Sequence, residues 1–204
     1  MKIVDDKFKF SSKLKDRDKT EFIIFHHCAG NLTAKQVHDE HLRKGWAGIG
    51  YHFYIDKDGT VHKGRDIGTV GAHTIGLNDK SIAICFQGNF ENEYPTEKQY
   101  TSAIALVIEI SKKYGELTCK CHRDFNATAC PGKFFNLDVI MKGVNKVDKY
   151  EGVAKAHKDA CEWAVNNGII KGNGVSYAWD KNVNKAQLMT ILYRFYKFVL
   201  DRKL

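Results

Sequence analysis

Proline is nearly absent, two residues in 204, which excludes a proline-rich extended tail or spacer. No run of 18 apolar residues occurs, so no segment reads as a membrane-spanning helix, and membrane insertion is not expected. The start, MKIVDDKFKFSSKLKDRD, lacks the apolar stretch of roughly 7 to 15 residues that marks a secretory signal. Classical secretion is not expected, and any target outside the cell must be reached another way. The six cysteines, at 28, 85, 119, 121, 130 and 161, contain no Cys-x-x-Cys pair, so a zinc ribbon or thioredoxin-like reading fails. His-Glu-x-x-His is missing too, and with it the short signature of a zincin protease.

What is present is ordinary globular composition, 43% hydrophobic and 27% charged, enough for one core plus a small appendage. Lys and Arg number 32 against 24 Asp and Glu, and the excess is spread over both parts of the chain. Such a field attracts polyanions of any kind. Nucleic acid is not the expected partner, because there is no basic helix, zinc-finger spacing or interleaved basic and aromatic run.

Segments 21–26 (EFIIFH), 51–56 (YHFYID), 60–63 (TVHK), 81–87 (SIAICFQ) and 117–121 (LTCKC) are short, rich in Ile, Val, Phe and Tyr, and bounded by Gly, Asp or Asn; they predict strands. The DKDG turn at 56–59 joins the second and third as a hairpin. Thr33 with Gln36, and Thr96 with Gln99, form capping boxes that open two helices, stopped near Gly45 and at Gly115. The second carries Tyr100, Ala103, Ile104, Val107, Ser111 and Tyr114 at three- and four-residue spacing. A third helix fits 133–142. The fold class that follows is α/β, a mixed central sheet flanked by helices, over residues 1–145.

From 146 to 204 the pattern becomes helical alone. EGVAKAHKDACEWAVNNG predicts a helix burying Val153, Ala156, Ala160, Trp163 and Ala164; a turn-rich stretch, 171–183, follows. Asn184 with Gln187 then opens a last helix burying Leu188, Ile191, Leu192, Phe195 and Val199. This makes a small all-α module, marginal by itself unless it docks or associates.

Two segments can do chemistry. In FHHCAG, His26 and His27 end an apolar strand, and alternation sends them to opposite faces, so one of the pair can join a given pocket. In CHRDFNATACPG, a loop punctuated by Pro and Gly separates His122 from Cys130. Two imidazoles and one thiolate give zinc three ligands and leave a position for water, with enough residual charge to polarise a carbonyl. Residue type and spacing alone leave two readings: metal ligands, or satisfied core histidines beside an inert cysteine.

The ordered segments FIIFHHCAG, WAGIGYHFYIDKDGTVHKGRD, GAHTIGLNDKSIAICFQGNF and CHRDFNATACPG, spanning about residues 20–142, resemble the zinc-dependent N-acetylmuramoyl-L-alanine amidases, the type shared by phage lysozyme-like amidases and peptidoglycan recognition proteins. The resemblance implies Zn²⁺ held by His26, His122 and Cys130, with His27 as the rival to His26. It places Tyr51 and Thr128 in catalytic positions; phage amidases carry Lys and many recognition proteins Thr where Thr128 stands. It places Arg65, His73 and Asn78 along the substrate groove. Each also has a plain reading: Arg65 paired with Asp66 or Asp58, His73 bonded to backbone, Asn78 filling a turn. Trp46 is expected in the core rather than on a sugar.

The implied reaction is hydrolysis of the amide between N-acetylmuramic acid and L-alanine in peptidoglycan, as in a phage or prophage endolysin held in the host or bacterial cytoplasm until released and then acting on the cell wall. The alternative is a non-catalytic peptidoglycan binder using the same groove. EWAVNNGIIKG and NVNKAQLMTILYRF more loosely resemble one S-layer homology module, which implies binding to a secondary cell-wall polymer; homodimerisation through this module, or simple capping of the first domain, are the rivals.

Overall fold

The computed structural model describes residues 1–145, 157–171 and 182–201. It divides into two compact units, Met1–Asn145 and Lys146–Leu204.

The first unit is built on a six-stranded mixed sheet. Its strands are β1 (Ile3–Asp5), β2 (Phe22–His27), β3 (Phe53–Ile55), β4 (Val61–Lys63), β5 (Ser81–Phe86) and β6 (Thr118–Cys121), in the order β1-β4-β3-β5-β2-β6. Only the β3–β4 pair is antiparallel. Its turn closes through Asp56 N–H to Thr60 O at 2.9 Å and Thr60 N–H to Asp58 Oδ1 at 2.8 Å. The five strands legible in the sequence are present; β1 escaped notice because three residues carry no periodicity.

Helices α1 (Ala34–Arg43) and α2 (Glu97–Tyr114) both start at complete capping boxes, on Thr33 and Thr96. Burial follows the pleat. Ile23 and Phe25 of β2, with Ile82, Ile84 and Phe86 of β5, face Ala103, Leu106, Val107 and Ile110 of α2 and Ile140 of a third helix, α3 (Leu137–Asn145). On the opposite face Tyr54 and Cys85 pack with Ala34 and Val37 of α1.

Helix α3 runs Leu137–Asn145, four residues later than the apolar pattern of 133–142 suggests. Phe135 is the reason: its ring is buried between Phe25, Phe86, Phe90 and Tyr100. The Phe134 N–H meanwhile donates to Phe90 O at 2.9 Å, pinning the segment to the core before a helix can begin.

The second unit contains α4 (Lys158–Asn166) and α5 (Lys185–Asp201). The cap of α5 is reciprocal, Asn184 N–H to Gln187 Oε1 and Gln187 N–H to Asn184 Oδ1, both 2.9 Å. The expected buried faces do not form as read. Of the α4 set Ala164 is buried, Ala160 is exposed and Trp163 is 45% exposed; Val153, Ala156 and most of 171–183 lie outside the described residues. No residue of α5 is buried. Trp163 instead meets the edges of Phe195 and Phe198 at centroid distances of 6.4 and 5.5 Å. Helical spacing marks an apolar stripe, but covering it takes partners that two helices in isolation do not supply.

Candidate metal centre and its cleft

Parallel pairing sets the centre at the carboxyl ends of the strands, where open α/β sheets place their sites. The register Phe25↔Cys121 between β2 and β6 puts the next residues, His26 and His122, side by side, with ring centroids 4.6 Å apart. His122 opens a short 3-10 turn, His122–Asp124, held by Cys121 N–H to Asp124 Oδ2 at 2.8 Å.

The loop after it folds back because Arg123 N–H donates to Cys130 O at 2.9 Å and the Arg123 guanidinium to Gly132 O at 2.7 Å. Gly132 has φ +104°, and a Cβ there would lie 2.3 Å from the Phe90 carbonyl carbon, so the loop closes only with glycine at this point. The result brings Cys130 Sγ to 3.7 Å from His26 Nδ1.

One ligand atom each from His26, His122 and Cys130 lies within 4.8 Å of the others, the one such cluster among the described residues. A tetrahedral ion with bonds of about 2.0 Å to nitrogen and 2.3 Å to sulfur holds those two atoms roughly 3.5 Å apart, so the gap fits. Strand alternation separates the two adjacent histidines. His27 points to the α2 side, where Nδ1 accepts the Phe90 N–H at 3.1 Å and the ring lies 5.9 Å from the Phe90 ring.

Burial, followed by the neighbouring His122 and His27, holds the His26 pKa well below the ordinary histidine range; burial lowers His122 as well. Burial also pushes the Cys130 thiol up to about 12. Two neutral imidazoles beside a thiol whose ionised form lacks a counter-charge make a donor set that a divalent cation completes.

The outer nitrogens are occupied. His26 Nε2 lies 3.1 Å from His73 Nδ1 and 3.4 Å from Thr74 Oγ1, and His122 Nε2 lies 3.1 Å from Asn126 Oδ1. Tyr51 stands behind His26, with centroids 5.2 Å apart; burial, with nearby thiols second, raises its phenol pKa well above the ordinary value, so it stays a donor. Thr128 Oγ1 accepts the Cys130 N–H at 3.2 Å.

A cleft of about 860 Å³ adjoins the centre, and its walls include Trp46, Arg65, His73, Asn78, Asn126 and Thr128. Arg65 is buried and pairs with no surface aspartate: it donates to Ile49 O and Val70 O, each at 2.8 Å. Asn78 organises its turn by accepting the N–H groups of His73 and Thr74 at 2.7 and 2.9 Å. Trp46 corrects the core expectation. It is 42% exposed on the cleft wall and rests on His41, centroids 4.6 Å apart. His41 Nδ1 in turn accepts the Gly50 N–H at 3.0 Å. Sequence reasoning missed Asn126, Thr74 and His41. The loop residues carry no periodic signal, and His41 sits on an amphipathic helix where a histidine reads as surface.

Comparison with known proteins agrees with this geometry. The profile of the N-acetylmuramoyl-L-alanine amidase family matches residues 16–133. The chain is 32% identical over 129 residues to the endolysin of Escherichia phage T7, covering 58% of this chain and 85% of that endolysin. It is 32% identical over 136 residues to peptidoglycan-recognition protein SC2 of Drosophila melanogaster, covering 60% and 73%. Among solved structures, the N-acetylmuramoyl-L-alanine amidase LysC from Clostridium intestinale URNW superposes with a TM-score of 0.69 at 38% identity, over 71% of this chain and 98% of that one. With the matched segment taking in all three clustered donors and more than half the chain, the protein belongs to the N-acetylmuramoyl-L-alanine amidase family.

Proposed function

We propose that this chain is a zinc amidase that hydrolyses the bond between N-acetylmuramic acid and L-alanine in peptidoglycan, with His26, His122 and Cys130 holding the ion. The observation that carries the reading is the convergence of these three donors within 4.8 Å at the end of a cleft of substrate size. When bound, zinc supplies a Lewis acid that polarises a carbonyl and acidifies water.

The rest is done by the chain itself. Tyr51, kept protonated by burial, donates toward the oxyanion that develops as the scissile carbonyl is attacked. Thr128, its Oγ1 already accepting from Cys130 N–H, keeps its hydroxyl hydrogen to donate from the cleft wall. It supplies no cation, so charge stabilisation leans on the metal and Tyr51. Arg65 and Asn78 shape the walls by fixing backbone carbonyls and a turn, while Trp46 offers an aromatic face to the substrate.

The kinship with phage endolysins supports a lytic role, in a protein that waits in the cytoplasm until the membrane is breached and then cuts the wall. For the second unit, the resemblance of its two segments to a single S-layer homology module, with 9 basic against 5 acidic residues in 151–204, supports binding to an anionic secondary wall polymer. Co-sedimentation with intact walls and with walls stripped of that polymer tests it: binding that does not fall on stripping refutes the assignment, and a concentration-dependent mass in light scattering would favour homodimerisation instead.

The deciding experiment for the activity is digestion of purified peptidoglycan. New amino groups should appear, with muropeptide masses corresponding to free lactyl ends and intact stem peptides. Both should vanish with a chelator and return with zinc. Wall binding without amine release would make the chain a receptor.

A further inference from the structure

The two imidazoles of the centre are held from outside by residues that also wall the cleft. At His122 the tautomer follows from the way the Asn126 amide is turned. The Asn126 amide nitrogen donates to Phe125 O at 3.1 Å and lies 3.5 Å from Ile75 O, so its oxygen is the atom facing His122 Nε2. That oxygen only accepts, hence Nε2 carries the proton and Nδ1 is left as a lone pair.

At His26 the same outcome is reached through a chain. Nδ1 is the nitrogen turned to Cys130, so Nε2 bears the hydrogen and donates to His73 Nδ1. His73 Nδ1, an acceptor, leaves Nε2–H to face Ser81 Oγ at 3.4 Å, and Ser81 donates onward to Leu77 O at 2.6 Å. Thr74 sits between the rings, its Oγ1 2.9 Å from His73 Nδ1. Asn78 grips the His73 and Thr74 backbone and so places this chain. His73 Nδ1 has one lone pair, so the His26 Nε2–H and the Thr74 hydroxyl share it, and each ring keeps one tautomer.

We propose that Asn126 and His73 are positioning residues for the metal: from the cleft wall they lock the tautomer and ring angle of His122 and His26, leaving the Nδ1 lone pair of each ring free for the ion. The inference rests on the zinc reading above and goes beyond it. It moves His73 from substrate contact to ligand support and gives Asn126, in the loop between His122 and Cys130, a defined role. It also makes the cleft and the centre share walls, so a substrate that displaces Asn126 acts on the metal site. Groups that orient ligating histidines typically contribute 10- to 100-fold in metal affinity.

The test is zinc affinity of the full chain, measured by competition with a chromophoric chelator, together with the visible absorption of the cobalt-substituted protein. Asn126→Ala removes the acceptor and should weaken zinc about ten-fold and change the cobalt spectrum, while leaving the melting temperature of the metal-free protein in place. Asn126→Asp keeps an oxygen at the same reach and should bind at least as tightly as the native chain. His73→Phe, which keeps a ring and loses the acceptor, should weaken zinc similarly; should that variant fail to fold, the two Asn126 variants carry the test.

Native affinity and an unchanged cobalt spectrum in Asn126→Ala would overturn the proposal, as would an equal loss in Asn126→Asp. A native chain that binds no zinc at all would overturn the donor set itself, a different failure and visible before any variant is made.

Discussion

Exchanging His27 for phenylalanine separates the two adjacent histidines in one experiment. Because β2 alternates, His27 belongs to the α2-facing core, where its ring Nδ1 accepts the Phe90 N–H at 3.1 Å. Phenylalanine fills the same space between Phe90 and its neighbours but leaves that buried N–H without an acceptor. The cost of such an orphan is about 1–3 kcal/mol. For a unit of this size each kcal/mol moves the melting temperature by roughly 2–4 °C, so a fall of about 2–12 °C is expected. Zinc stoichiometry, read by elemental analysis after dialysis, should remain native, and amide cleavage should persist. His26→Phe should behave oppositely, losing bound zinc and all cleavage. If His27→Phe loses the metal while His26→Phe keeps it, the strand register Phe25↔Cys121 is wrong by one residue and the centre must be rebuilt around the other face.

Other perturbations report on separate links. Trp46→Ala removes a half-exposed aromatic face on the cleft wall, and should raise KM about two- to ten-fold with kcat little changed, since stacking of this kind is worth roughly 0.5–1.5 kcal/mol and acts on bound substrate and transition state alike; an effect confined to kcat would contradict it. Gly132→Ala, at φ +104° and against the Phe90 backbone, should cost at least about 2 kcal/mol in chemical denaturation and lower zinc affinity by shifting Cys130; a neutral result would refute the loop geometry. His62 lies between Asp6 and Asp56 at 2.7 and 2.9 Å. Burial opposes its charge, but the two carboxylates outweigh it and raise the pKa above 6.5. A raised folded pKa means the stabilisation is full below pH 6.5 and fades as pH climbs through the folded value. The melting temperature gap between native and His62→Gln chains should therefore shrink from pH 6 to pH 9, a difference under about 1 kcal/mol for this partly exposed cluster; a gap that widens with pH would reverse the sign and refute the pairing.

How much was legible beforehand depended on the range of the interaction. Capping boxes at Thr33 and Thr96 and the alternating or continuous apolar strands act within a few residues, and the helices and strands they announce are present. The start of α3 was not legible, because Phe135 is drawn out of a helical pattern by contacts with Phe25, Phe86 and Phe90, far away in sequence. The same division runs through the centre. His26 is visible as the polar end of an apolar strand, and Cys130 as the thiol of a Pro/Gly loop, since both residue types are conspicuous in such places. Which of two neighbouring histidines turns inward is a question of register, answered only by β2 pairing with β6.

The groups that hold the imidazoles are harder still. Asn126 is one polar loop residue among several until Arg123 folds the loop back onto Cys130 and brings its amide oxygen to His122. Trp46 reads as core because tryptophan usually is, yet α1 supplies His41 beneath it and leaves its other face to the cleft. Donors chosen for their chemistry leave a mark in composition and spacing; supports chosen for their position do not. Beyond the three donors themselves, a substitution scan of the cleft should therefore lower zinc affinity at a residue such as Asn126, whose type alone would never have nominated it.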